Sequence, residues 1–160
     1  MKEEKILTKT YTLANGVEIP KLGSGTWFIP DETVGKVVCE AVKIGYRHID
    51  TAQAYGNEYG IGQGIKNCNA PRESLFVTTK LAAEVKTYTE ARKAIDSSLE
   101  KMQLEYIDLM LIHSPQPWND FRGGDYAHGN REAWRALEDA YKAGKLRAIG
   151  VSNFNKEDIE

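Results

Sequence analysis

At 160 residues, 41% hydrophobic and 28% charged, the chain has the composition of a globular domain with a sizeable core, not of a disordered segment. Its formal net charge of −2 offers no broad basic field for nucleic acid or an anionic membrane. No apolar run approaches the roughly 20 residues that span a bilayer, and the charged start Met1-Lys2-Glu3-Glu4-Lys5 is not followed by the apolar stretch of a secretory leader.

The first element is a small hairpin around Tyr11 to Val17, turned at Asn15-Gly16, a strong tight-turn signal between two short apolar stretches. Pro20 to Gly23 leads into a first strand that ends at Gly25-Thr26-Trp27. Asp31 is placed to cap a helix in which Val34, Val37, Val38, Ala41 and Val42 recur at helical spacing, and Gly45 sits where a C′ glycine belongs. A second strand covers Tyr46 to Asp50. A short helix around Glu58 to Ile65 follows, weakened by Gly60, Gly62 and Gly64. Leu75 to Thr79 is a third strand.

Thr87 and Glu90 have the spacing of a capping box and open a helix whose inner stripe is Ala91, Ile95, Leu99 and Met102. Tyr106 to Ile112 is the longest apolar run, and Pro115 and Pro117 stop it. Ser114 to Asn130 reads as a 17-residue loop with Trp118, Phe121 and Tyr126, long enough to suggest a functional role. His128 falls within it. Arg131 to Ala143 is helical, burying Trp134, Leu137 and Tyr141, and Gly144 ends it. Arg147 to Val151 is a fifth strand, and Asn155 with Asp158 looks like the cap of one more helix.

The strands end in His48-Ile49-Asp50-Thr51, Thr78-Thr79-Lys80, Leu111-Ile112-His113 and Val151-Ser152-Asn153. From Asp50 to Lys80 is 30 positions, then 33 to His113 and 39 to Ser152. Each step is about one strand plus crossover helix, roughly 30 or more residues. Strands joined in this way point the same direction, so their C-terminal tips gather on one face. A carboxylate, an ammonium and an imidazole distant in sequence therefore converge. Alternation of strand and helix, with strands apolar enough to be covered on both faces, implies an α/β fold with a parallel sheet. Five strands make either an open sheet or the front of an eight-stranded barrel. The chain stops inside an element, which favours the second.

These residues carry a family resemblance. Gly45-Tyr46-Arg47-His48-Ile49-Asp50-Thr51-Ala52, continued by Tyr55-Gly56-Asn57-Glu58 and Ile61-Gly62, resembles the first signature of the aldo-keto reductases. Ala143-Gly144-Lys145-Leu146-Arg147-Ala148-Ile149-Gly150-Val151-Ser152-Asn153-Phe154 resembles the second. The resemblance runs from about Tyr11 to Glu160. It implies the first five βα units of a (β/α)8 TIM-type barrel: a single incomplete domain over 1–160, with the hairpin at about 8–20 and the βα units at about 21–160. It also implies NADPH-dependent reduction of an aldehyde or ketone, without metal or flavin.

By this resemblance Tyr55 is the acid that protonates the carbonyl oxygen, tuned by Lys80, with Asp50 pairing Lys80. His113 is implied to orient the carbonyl from a neutral ring. Ser152 and Asn153 are implied to hold the nicotinamide carboxamide, with Thr26 and Asp50 near the cofactor. Trp27 and Trp118 are implied as walls of an apolar substrate pocket.

Each of these residues taken singly has a plainer reading: an ion pair, a satisfied core histidine, a packing aromatic. Joint placement at successive strand tips is what favours chemistry. His48 reads as structural, two residues before Asp50 on the same strand face. Gly23-Ser24-Gly25 and Gly60-Ile61-Gly62-Gln63-Gly64 do not complete a dinucleotide fingerprint, because Phe28 and Ile65 stand at the third glycine. A barrel metallohydrolase using His48, Asp50, Lys80 and His113 is the rival enzyme class, but it leaves Tyr55 and Ser152-Asn153 unexplained. Cys39 and Cys68 stand apart from any Cys/His cluster and are expected as free thiols of a cytoplasmic protein. The contrasting expectation is a catalytically inactive half-barrel. Its two unpaired sheet edges would favour self-association or a role as a binding module.

Overall fold

The computed structural model describes residues 6–160, and the charged start, Met1 to Lys5, lies outside them. The hairpin consists of β1 (Thr10–Thr12) and β2 (Glu18–Pro20), paired antiparallel with Tyr11 opposite Ile19. Gly16 takes φ 84° in the turn, a conformation that costs glycine nothing. The Glu18 carboxylate accepts from the Thr10 and Thr12 hydroxyls across the pair.

Five parallel strands follow in sequence order: β3 (Gly23–Gly25), β4 (His48–Asp50), β5 (Phe76–Leu81), β6 (Leu109–Ile112) and β7 (Ile149–Val151). Between and after them run α1 (Asp31–Ile44), α2 (Glu58–Asn67), α3 (Tyr88–Met102), α4 (Ala127–Lys142) and α5 (Lys156–Ile159). The core fills the space between sheet and helices, with Val34, Val38, Ile49, Ile61, Val77, Ile95, Met102, Met110 and Leu137 almost fully buried. Consecutive pairing in one direction is the pattern of a (β/α) barrel interrupted after five units.

Among the described strands only β5, at the centre, is buried along its whole length. Leu109 and Leu111 of β6 are half-buried, and β3 and β7 are the unpaired edges of the sheet. The expectation that every strand is covered on both faces is thus corrected. The helices cover the outer face, while among the described residues no strands lie opposite the inner face to close it.

Several local expectations are corrected as well. Asp31 does not cap α1; Pro30 occupies the N-cap, and Asp31 Oδ1 instead accepts from the Gly60 amide of α2 at 2.7 Å. Helix α2 extends to Asn67 in spite of its glycines, because they are where it touches its neighbours. A Cβ at Gly60 would sit 2.0 Å from the Asp31 carbonyl oxygen, and one at Gly62 would sit 2.2 Å from that of Met102. The loop after β6 is shorter than 17 residues, because α4 begins at Ala127; the Ala127 amide donates to Asp125 Oδ1, and His128 is helical. Tyr141 and Val37 are exposed rather than buried. Gly45 ends α1 at φ 119°, Thr87 caps α3 by accepting from the Glu90 amide, and Asn155 with Asp158 forms a complete capping box on α5.

Candidate active site

The parallel register sets Asp50 opposite Thr78, so Lys80 lies two residues further along β5 on the same face, at the sheet's C-terminal end. Its Nζ donates to Asp50 Oδ1 at 2.5 Å and to the Thr51 carbonyl at 3.0 Å. Tyr55 lies in the 3-10 turn Gln53–Tyr55, which Gly56 closes at φ 68°. The Lys80 ammonium stands 5.2 Å from the centroid of the Tyr55 ring. His113 follows β6, its amide donating to the Leu81 carbonyl. The imidazole meets Tyr55 edge-on, 5.8 Å between centroids. Asp50, Tyr55, Lys80 and His113, far apart in sequence, are thus neighbours.

Burial first, and then the Lys80 charge, hold the His113 imidazole below its usual pKa, so it is neutral at pH 7. Its Nδ1 is buried and has no hydrogen-bond partner among the described residues. His48 is also pushed down, chiefly by burial. It lies one step deeper, its Nε2 bonded to Thr78 Oγ1 at 2.8 Å and its ring edge-on to Phe76.

Thr26 is buried, and its hydroxyl donates to the Asp50 carbonyl at 3.0 Å. Ser152 continues the β7 ladder, donating its amide to the Ile112 carbonyl. Asn153 takes φ 61° and donates from Nδ2 to the His113 carbonyl at 2.8 Å and to Ser152 Oγ at 3.2 Å. Trp27 stacks near Tyr55 at 6.3 Å and on Phe28 at 4.3 Å. Trp118 is edge-on to His113 at 5.3 Å, with Phe121 beside it. Aromatic walls therefore flank the Tyr55–His113 pair on two sides.

One organising residue was not singled out by sequence reasoning. Asn57, completely buried, donates to the Thr26 and Ile29 carbonyls and accepts from the Thr51 hydroxyl at 2.7 Å. It fastens the β3 tip to the β4 tip. The available signal was a polar residue at the helix start, which reads equally as an ordinary cap. Among the described residues, no three His, Cys, Asp or Glu side chains converge as a metal-binding group. Cys39 and Cys68 are free thiols, and no described helix is long and apolar enough to cross a membrane.

The five parallel βα units are those of a partial (β/α) barrel, and residues 20–160 match the Aldo/keto reductase family. The chain belongs to that family. It is 44% identical over 155 residues to glyoxal reductase of Bacillus subtilis, covering 96% of this chain and 52% of that protein. It is 42% identical to methylglyoxal reductase DkgA of Escherichia coli, covering 92% and 50% respectively. Among solved structures, an aldo/keto reductase from Brucella melitensis superimposes with a TM-score of 0.87 at 41% identity, over 94% of this chain and 54% of that one. A Bombyx mori aldo-keto reductase in complex with NADP superimposes at 0.81 with 38% identity, over 94% and 52%. The chain thus spans about half the length of the relatives it matches.

Proposed function

We propose that the chain carries the proton-donating half of an NADPH-dependent reductase that converts a small-molecule aldehyde or ketone to an alcohol. The observation that carries this reading is the Lys80 ammonium, clamped by Asp50 and Thr51 and held 5.2 Å from the centre of the Tyr55 ring, beside a neutral His113. NADPH, when bound, supplies the hydride that the carbonyl carbon accepts. Tyr55 gives its hydroxyl proton to the carbonyl oxygen as negative charge develops there. Lys80 offsets the phenolate that remains, and Asp50 keeps the ammonium oriented. His113, neutral, donates from its ring to hold the carbonyl oxygen in line. Trp27 and Trp118, both exposed in this chain, offer apolar faces on two sides of the substrate position.

The residues present fit the carboxamide end of the cofactor. Asn153 commits its Nδ2 within the chain, while its Oδ1 takes no hydrogen bond among the described residues; the Ser152 hydroxyl, which accepts from Asn153, keeps its own proton to donate. One acceptor and one donor are the complement of a carboxamide. Thr26 and Asp50 lie at the adjoining tips. The likeness to glyoxal and methylglyoxal reductases, and to a structure in complex with NADP, supports carbonyl reduction with this cofactor.

A second reading rests on the open sheet. With β3 and β7 unpaired and the chain spanning half of its relatives, these 160 residues alone form a catalytically inactive half-barrel that self-associates through its edges or serves as a binding module. Titration of the purified chain with NADPH, followed by nicotinamide fluorescence, separates the two. Saturation in the micromolar range supports a complete site. Absence of saturation places the remaining cofactor contacts outside these residues.

A further inference from the structure

Arg122 has left-handed backbone, φ 64°, and so does Asn153, φ 61°. Asparagine tolerates this conformation, whereas for arginine it persists only where surrounding contacts over-determine it. Those contacts run directly to the Ser152–Asn153 tip. Arg122 Nη1 donates to Asp158 Oδ2 at 2.6 Å and Nη2 donates to the Asn153 carbonyl at 3.3 Å, while the guanidinium lies over the Phe121 ring. Asp158 is itself fixed, since the same Oδ2 accepts from the Asn155 amide in the α5 capping box. Gln116, at the near end of the loop, reaches the other oxygen of Asp158 at 3.5 Å.

Trp118 lies between Gln116 and Arg122 in sequence and packs edge-on against His113. Asn153, on the far side, donates its side-chain amide to the His113 carbonyl. The aromatic loop and the β7 tip therefore meet directly, at the Arg122–Asn153 hydrogen bond, and share His113 as a neighbour, while Asp158 anchors Arg122 to α5. We propose that Arg122 is a positioning residue that locks the Trp118 loop to Asn153, so that the substrate wall and the carboxamide-binding residues are set by one shared contact. This inference rests on the reductase reading, because it gives those two surfaces their roles. Arg122 fits the task in a way lysine would not: its planar fork reaches a carboxylate and a carbonyl together.

The test uses the full 160-residue chain without ligand, comparing wild type with Arg122→Met, Arg122→Lys and Asp158→Asn by NMR. The reporters are the Trp118 indole Nε1–H and the Asn153 side-chain amide. In R122M both resonances move, while the rest of the spectrum keeps its fold. In R122K the Trp118 signal returns toward its wild-type position, and the Asn153 amide remains displaced, because an ammonium keeps Asp158 but loses the second acceptor. D158N gives the same joint displacement from the other side of the contact. If either reporter keeps its wild-type position in R122M, the two surfaces are set independently and the proposal is overturned. Neither NADPH nor a carbonyl compound is present, so that result leaves the reductase reading standing. A failed NADPH titration, in turn, leaves this coupling intact.

Discussion

Lys80 Nζ lies 2.5 Å from Asp50 Oδ1, but the two charges are unequally buried: 10% of the lysine side chain is exposed, against 32% of the aspartate. Removing the aspartate therefore strands a buried ammonium, with the Thr51 carbonyl as its one remaining hydrogen-bond acceptor among the described residues. Removing the lysine leaves a carboxylate that water can reach. Asp50→Asn is expected to destabilise by about 2–4 kcal/mol, and Lys80→Met by less, since an uncompensated buried charge is the costlier defect. Urea unfolding of both variants measures the order, which a purely pairwise account would make equal.

Asn57→Ala removes three hydrogen bonds of a completely buried side chain and leaves the Thr26 and Ile29 carbonyls without that partner. A loss of about 2–3 kcal/mol is expected from the unsatisfied groups. Asn57→Asp, which keeps the shape but not the two donors, should fall nearly as far in the same unfolding experiment.

The His113 pKa is lowered below its unfolded-state value of about 6.5. The native state therefore binds fewer protons than the unfolded chain on the acid side. The stability associated with neutral His113 is complete above that value and is lost as pH falls through the lower folded-state pKa. Ring-proton NMR should show His113 titrating below 6.5, with a shallower acid loss of stability in His113→Gln than in wild type.

Lys86 gives the same sign in an alkaline window. Burial brings its ammonium down to about 8, and its partners are the Ser114 carbonyl and Asn130 Oδ1, both neutral. The native state releases this proton before the unfolded chain does, so the cost of the buried charge is present below pH 8 and fades as pH rises toward 10.5. Thermal unfolding should show wild type gaining on Lys86→Met across that interval.

Much of this was legible in the residues. The hairpin at Asn15-Gly16, the Gly45 stop, the Thr87 cap and the five strand tips follow from local chemistry and period, because each rests on neighbours in sequence. The group of Asp50, Lys80 and His113 was legible because parallel strands gather their tips. What was not legible depends on contacts across the fold. Asp31 looked like a cap, yet its carboxylate serves the Gly60 amide 29 residues away. Helix α4 starts at Ala127, and its first turn, Ala127-His128-Gly129-Asn130, holds no large apolar residue to announce it. Tyr141 fits the apolar stripe but lies on the exposed flank. The ties made by Asn57 and Arg122 join separate strand tips, and no spacing encodes them.

The glycines of α2 illustrate the same limit. They read as a weakness in the helix, whereas the backbone of α1 and the end of α3 press against them. Gly60→Ala and Gly62→Ala are expected to destabilise by about 1–3 kcal/mol or more through overpacking. Gly25→Ala, where a Cβ would meet nothing within 4 Å, should stay within about 0.5 kcal/mol. Calorimetric melting temperatures of the three variants provide the comparison.

The role of the Tyr55 hydroxyl is read from NADPH oxidation by the purified chain with excess cofactor and phenylglyoxal, comparing wild type with Tyr55→Phe. Slow oxidation, below about 1 s⁻¹, is expected in wild type, falling roughly 100-fold or more when the Tyr55 hydroxyl is removed. Equal rates in the two proteins would contradict that role, because the proton would then reach the carbonyl oxygen from a group other than Tyr55.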